Sequence, residues 1–468
     1  MKRFFHVVLY LVMLAAFSGC AAFSNYTRNT EKARISISQG NFQQALKEFP
    51  ESKAKSGNEI LIRMERGTLL QATSDFQFST KEFELAAGLI KEQENKAVIS
   101  ASEAAYQTAS LLVNEKVIPY EGQDFEKVMV HTLDALNYLL MGNTEDARVE
   151  IRNSYRIQQD LYNKHYKDIE KAKKDSQGVN YEDSFKTSDS DSYNRMKETA
   201  SSVVSVYQNA FAYYISSLVY ELNGEEDEAY IDLKKAILSA PNCVALQKDL
   251  IRMSRDLGYR DDLDRWQNRF GKYAPVPKNS VDIFVIFELG LAPYREEFKL
   301  VLPIPSVGLV SVAVPVYAYI PSLVTGGYIT ANGSSEETSI VSDTDAIASR
   351  NLLDDYPILL AKQAVRAALK GTATREAGKQ YGSWAQLAAG VAFAITEQAD
   401  LRTWSTLPKQ IHMARLFVPR GTGELTITAL LGIPGRFSEK VQIPANARHV
   451  VVLARATDSS ITVSSKSF

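Results

Sequence analysis

"GEEDEAYIDLKKAILSAP", residues 224–241, decides how the first half of the chain is read. Gly224, Ala229, Leu233, Ala236 and Pro241 fall at relative positions 0, 5, 9, 12 and 17, and Tyr213 and Tyr220 precede the glycine by eleven and four residues. Small residues at that spacing let two helices approach closely, the aromatics fill the layer between them, and the glycine relieves the turn.

Weaker copies keep the same phase. "GNFQQALKEF" supplies Gly40, Ala45 and Phe49, "GNTEDARVEI" supplies Gly142, Ala147 and Ile151, and Gly67, Ser79, Phe83 and Ala86 surround Ser74 at equivalent offsets. Gly40 to Ser74 is 34 residues, Ser74 to Gly142 is twice 34, and Gly224 to Gly258 is 34 again. That period predicts a tetratricopeptide-like helical solenoid over residues 20–273. The phase breaks between Gly142 and Gly224, where a Ser-, Asp- and Lys-rich stretch predicts an extended helix and then a mobile, solvated polar insertion near 174–194.

Solenoid repeats bind peptides or helices along the concave side. Projected on the repeat phase, Thr132 and Leu136 in one unit and Tyr214 and Leu218 in another are expected on that inner face. The lysine and asparagine clamp of chaperone-binding tetratricopeptide proteins is not matched. Lys248, Arg252 and Arg255 form a basic stripe on one helix face, either a partner contact or a solvated face paired with nearby acids.

Composition changes after "YAPVPKNS", residues 273–280. "VDIFVIFELG" and "SVGLVSVAVPVYAYI" read as strands, a helical section follows at about 342–398, and strands return in "IHMARLFVP", "ELTITALL" and "HVVVLARA". The expected fold class is α+β and multidomain, with an antiparallel sheet or sandwich in a C-terminal domain over 280–468. "WAQLAAGVAFAIT" (384–396) is too short to span a bilayer and reads as a buried helix. The prolines of "LVLPIPSVGLVSVAVPVYAYIPSLV" (300–324) argue for bent core strands.

Residues 1–19 combine Lys2 and Arg3 with the apolar "VVLYLVMLAAF", and "FSGC" then places small residues before Cys20. This order resembles a bacterial lipoprotein signal with Cys20 as the lipidated residue. Ala21 and Ala22 follow in place of a retention aspartate, so the expected location is the outer membrane, facing the periplasm. Cys243 is then the one remaining thiol, expected to be a small buried hydrophobe without a disulfide. His131, His165, His412 and His449 lack ligand spacing, so neither a metal nor another cofactor is expected. Without Lys2 and Arg3 the balance is 51 basic to 55 acidic residues, a net of −4, which argues against nucleic acid as a partner.

"PYEGQDFEKVMVHTLDALNYLLMGNTEDARVEIR" (119–152) and "QADLRTWSTLPKQIHMARLFVPRGTGE" (398–424) resemble the signature stretches of a bacterial outer-membrane lipoprotein family with tetratricopeptide-like repeats. The resemblance implies the architecture and an envelope location, and it brings no activity. Within "QADLRTWSTLP" (398–408), Asp400, Arg402 and Trp404 fall on one face if extended, with no histidine beside Ser405 or Thr406 to make a nucleophile. A helix-to-strand corner is expected, and the competing reading makes Arg402 and Trp404 partner anchors. The expected function is non-enzymatic: a lipid-anchored scaffold or adaptor for envelope proteins in cell-wall or surface-structure assembly. The alternative is an envelope enzyme or glycan-binding module in the C-terminal domain, which an acidic pair in a cleft would favour.

Overall fold

A computed structural model describes residues 26–55, 57–100, 118–175, 184–185, 190–203, 205–304, 308–381 and 398–468. Cys20 and the "WAQLAAGVAFAIT" segment lie outside them. The chain is α+β: a helical N-terminal region precedes sheets that are rich in antiparallel pairs.

The helices are α1 (Tyr26–Asn29), α2 (Glu31–Ser38), α3 (Phe42–Lys47), α4 (Glu59–Ala72), α5 (Phe76–Ser100), α6 (Asp124–Met141) and α7 (Thr144–Asp175). They continue with α8 (Asp191–Ala200), α9 (Ala210–Leu222), α10 (Glu226–Ser239), α11 (Val244–Asp256), α12 (Arg260–Phe270) and, between the strands, α13 (Thr344–Tyr381). Five pairs pack as hairpins: α2 with α3, α4 with α5, α6 with α7, α9 with α10, and α11 with α12.

Each hairpin turns at a residue the repeat phase singles out. Gly40, Ser74, Gly142, Gly224 and Gly258 have φ of 75°, 63°, 85°, 76° and 75°. All five close the same two backbone bonds. At Gly142 its own N–H donates to the Leu139 carbonyl and that of Asn143 to the Tyr138 carbonyl, and at Ser74 the pairs are Ser74 to Gln71 and Asp75 to Leu70. This is a Schellman ending, which satisfies the last helix carbonyls and requires a left-handed residue at the turn. Within the hairpins Ala45, Ala86, Ala147, Ala229 and Ala236 are fully buried. A Cβ on Gly67 of α4 would lie 2.4 Å from the Phe83 ring of α5, so that pair also needs its small residue.

The expected polar insertion is corrected in part. Ser184, Phe185 and Tyr193 are buried; Phe185 stacks on Tyr193 at 3.8 Å and on Tyr356 of α13 at 5.4 Å. Phe185 and Tyr193 of the polar stretch thus pack on the core, and α7 is the extended helix that precedes it.

The strands are β1 (Ser280–Leu289), β2 (Tyr294–Ile304), β3 (Gly308–Ala318), β4 (Val324–Ala331), β5 (Ser334–Glu337) and β6 (Ser339–Asp343), then β7 (Gln410–Pro419), β8 (Glu424–Leu431), β9 (Arg436–Gln442), β10 (His449–Ala456) and β11 (Ile461–Ser467). They form a five-stranded sheet β11-β10-β1-β7-β6, a four-stranded sheet β5-β4-β8-β9 and the β2-β3 hairpin. The expected antiparallel sheet or sandwich is antiparallel in most of its pairs, and the exception is at the centre, where β1 pairs with β10 in parallel. Both strands are buried on both faces, which suits continuous apolar runs in parallel register.

Alternation along β1 divides the core. Val281, Ile283, Val285, Phe287 and Leu289 face the four-stranded sheet, making a sandwich interior, while Phe284 and Ile286 face the helices. The helical residues and the helix-facing strand residues form one continuous apolar cluster across residues 273–280. The edge strand β11 runs along the hairpin turns: Ser464 Oγ lies 2.5 Å from Ser74 Oγ, while Ser460 and Lys466 occupy the space beside Gly40 and Gly142.

Replacing Ala229 or Ala236 by Trp should therefore overpack the α9–α10 hairpin and cost about 1–3 kcal/mol or more. Glu226→Trp, at an exposed position in the first turn of α10, is the control. Thermal melts of the three variants should separate the buried pair from the control; equal shifts would reject the hairpin packing.

Candidate functional site

Residues 398–408 form a corner, and its partners lie on the helical region. Asp400 and Arg402 make a bidentate pair, Nε to Oδ1 at 2.9 Å and Nη2 to Oδ2 at 2.7 Å. Arg402 also donates from Nη1 to Asn58 Oδ1 at 3.2 Å, and its guanidinium lies 5.3 Å from the Tyr120 ring. Trp404 is 1% exposed, packs against Phe83 at 5.9 Å, and donates its indole N–H to Thr68 Oγ1 at 3.0 Å and Thr406 Oγ1 at 3.1 Å.

Two buried glutamates hold the corner's backbone. Glu126, near the start of α6, accepts from the Trp404 N–H at 2.8 Å, the Gln123 N–H at 2.9 Å and the Tyr120 hydroxyl at 2.6 Å. Glu65, in α4, accepts the Ser405 and Thr406 N–H groups at 2.9 and 2.8 Å, the Ser405 hydroxyl at 2.8 Å and the Tyr26 hydroxyl at 2.7 Å. Burial pushes both carboxyls above their ordinary values, and these donors pull back against it. Three consecutive backbone amides are thus bound by carboxylates on adjacent helical hairpins.

A second anchor lies towards the far end of the helical region. Arg415 of β7 donates to Asp282 of β1 from Nε at 2.8 Å, to Asp249 of α11 from Nη1 at 2.9 Å and to Glu221 of α9 from Nη2 at 2.9 Å. Burial alone would raise Asp282 and Glu221, but Arg415 overrides it and holds both below the usual carboxylate range. The Tyr214 hydroxyl joins through Asp249 at 2.7 Å.

These contacts correct the expected binding groove. Thr132, Leu136, Tyr214 and Leu218 are all buried, at 2% exposure or less, so none of them offers a surface to a partner in this structure. Thr132 bonds within the helices, to the Val128 carbonyl and Ser154, and Tyr214 packs edge-on against Phe284 of β1 at 5.0 Å. The repeat phase locates the inward-facing side chains but carries no information about what covers them.

The basic stripe divides three ways. Arg252 is bound by Glu221 and Asp249, Lys248 pairs with Glu336 of β5 at 2.5 Å, and Arg255 donates to the Tyr273 carbonyl at 2.9 Å. Lys248, Arg252 and Arg255 line one wall of an open cleft of about 490 Å³, bounded also by residues 273–277, β5 and the Ala414–Phe417 stretch of β7. Cys243 is fully buried, with Sγ 3.3 Å from Ser339 Oγ, and burial raises its thiol pKa. Among the described residues no three His, Cys, Asp or Glu side chains are grouped to hold a metal ion, and no helix is long and apolar enough to cross a membrane.

Glu65 and Glu126 belong to no catalytic or ligand motif, and each stands among ordinary helix charges such as Arg63, Arg66, Asp124 and Lys127. The available signal is their position: Glu65 interrupts the buried run Ile60–Leu70, and Glu126 completes a capping box with Gln123. A charge in the core stripe of a helix requires a buried partner.

Truncating Trp404 to Ala should cost roughly 3–5 kcal/mol, since a large buried indole leaves a cavity and takes its N–H donor from Thr68. Urea unfolding of the full chain measures it; a loss below about 1 kcal/mol would mean that the indole is not a core plug.

No protein-family model and no curated protein matches this chain. Among solved structures, the crystal structure of MamA aligns with a TM-score of 0.29 and 10% identity, covering 51% of this chain and 91% of that one. That likeness is too slight to assign a fold.

Proposed function

We propose that this chain is a lipid-anchored scaffold or adaptor of the outer membrane, facing the periplasm, whose tetratricopeptide-like helical solenoid binds envelope proteins. Five hairpin turns with one hydrogen-bond pattern, in two groups that each keep the 34-residue phase, support the solenoid reading. The order of residues 1–20 supports the anchor at Cys20.

The observation that carries the binding reading is the open cleft beside α11. It combines apolar lining from Val244, Pro275 and Phe417 with the charged groups of Lys248, Arg255 and Glu336. An extended segment of a partner protein would meet both there, in the pattern of an apolar core with a polar rim that protein interfaces favour. The scaffold therefore recognises through the junction of helices and sheet, since Thr132, Leu136, Tyr214 and Leu218 of its inner face are buried within the chain.

One crosslinking experiment from native envelopes tests the reading, comparing wild type, Cys20→Ser and Arg255→Glu. Wild type should fractionate with the outer membrane and capture a defined protein. Cys20→Ser should lose membrane association, because the acyl chains contribute about 0.8 kcal/mol per buried methylene. Arg255→Glu should remain anchored and folded but capture at least tenfold less. Equal fractionation of wild type and Cys20→Ser would refute the anchor, and unchanged capture by Arg255→Glu would refute the cleft.

A further inference from the structure

Arg295, the second residue of β2, is a buried cation without a carboxylate. It is 8% exposed, its guanidinium stacks 5.3 Å from the Tyr317 ring, and Nη1 reaches the Arg402 carbonyl at 3.4 Å. Its Nε has no hydrogen-bond partner, and no carboxylate among the described residues pairs with it. Arg415 and Arg455, equally buried, instead bind Asp282, Asp249 and Glu221, and Glu288. Asp400 acts on Arg295 only at longer range, and an anion in direct contact with a buried guanidinium offsets more of its desolvation.

Arg295 lines a cavity of about 370 Å³ between the start of α6, the α13 helix and the corner at Asp400–Arg402. Lys362 adds a second cation at its exposed side, and Asp124 and Asp355 face the same space. Asp355 and Arg295 influence one another electrostatically, yet they do not close into an ion pair. Asp355 accepts from Asn351 Nδ2 at 2.6 Å, and burial followed by the charge of Asp124 pushes its carboxyl up to about 7. Leu352, Ile358 and Leu359 supply apolar wall. Opposite charges are held apart across a space large enough for a small molecule.

We propose that this cavity binds a small zwitterion of amino-acid to dipeptide size, its carboxylate on Arg295 and its ammonium group towards Asp124 and Asp355. Lys362 adds long-range attraction for the carboxylate, and the aliphatic wall accepts an apolar side chain. A doubly charged anion suits the space less well, because Asp124, Asp355 and Asp400 all line it. The proposal goes beyond the scaffold reading and depends on neither the anchor nor a protein partner.

Titration calorimetry on the purified full chain tests it with alanine, alanyl-alanine, N-acetyl-alanyl-alanine, alanyl-alanine amide and inorganic phosphate as probes. Alanine or alanyl-alanine should bind saturably, and removing either the ammonium or the carboxylate charge of the dipeptide should weaken binding at least tenfold. Asp355→Asn should weaken the zwitterion tenfold or more, and Lys362→Gln by a few-fold. Arg295→Gln, if its circular dichroism matches wild type, should abolish binding; if it does not fold, the Asp355 and Lys362 variants decide. No saturable binding of alanine or alanyl-alanine, equal affinity for the blocked dipeptides, phosphate binding tighter than both zwitterions, or wild-type affinity in the Asp355 and Lys362 variants would overturn the proposal.

Discussion

Two glutamates buried on neighbouring hairpins carry the organisation of this molecule. Glu65 and Glu126 together accept the backbone amides of Trp404, Ser405 and Thr406. A charged carboxylate in a low-dielectric interior is tolerated only when it is densely hydrogen-bonded, and each of these two has hydroxyl donors as well. The dependence is mutual. Without the corner the glutamates would be stranded in apolar surroundings, and without the glutamates three consecutive amides would be buried unpaired.

The Arg415 network performs the same task towards the far end of the helical region, with the signs reversed. A single strand-borne cation satisfies acids on α9, α11 and β1. Because Asp282 and Glu221 are held below their unfolded values, their contribution is present at neutral pH and is lost as pH falls through the folded values. Glu65, Glu126 and Asp355 are displaced upwards and act oppositely, so their deprotonation at rising pH weakens the fold. Between the two anchors β11 lies across the hairpin turns, so the helices and the sheets form one structural unit.

The hairpins were legible because their signal is local. A left-handed turn residue and a buried alanine five positions later can be read from Gly40, Gly142 and Gly224 without knowing anything distant. The Trp404 plug and the Asp400–Arg402 pair were legible for the same reason, since the acid and the base are two residues apart. The groove was misread because the burial of its residues depends on contacts distant in sequence, such as that of Tyr214 with Phe284 of β1. Thr132 and Leu136 look alike in sequence whether a partner or the chain itself covers them. The parallel β1–β10 pair was hidden for a related reason, because strand direction in a sheet depends on a crossover that local alternation does not encode. The cavity at Arg295 was invisible because its residues come from β2, α6, α13 and the corner.

The central claim is that the helical region binds the 404–406 backbone as an integral part of the fold. Native-state hydrogen exchange at the Trp404, Ser405 and Thr406 amides tests it most directly, because a bound amide exchanges only when its structural unit opens. The account predicts protection at all three approaching that of the β1 and β10 core amides, falling together in Glu65→Gln. Rapid exchange at these amides, with the β1 and β10 amides still protected, would contradict it and make the corner a loop resting on an independently folded helical region.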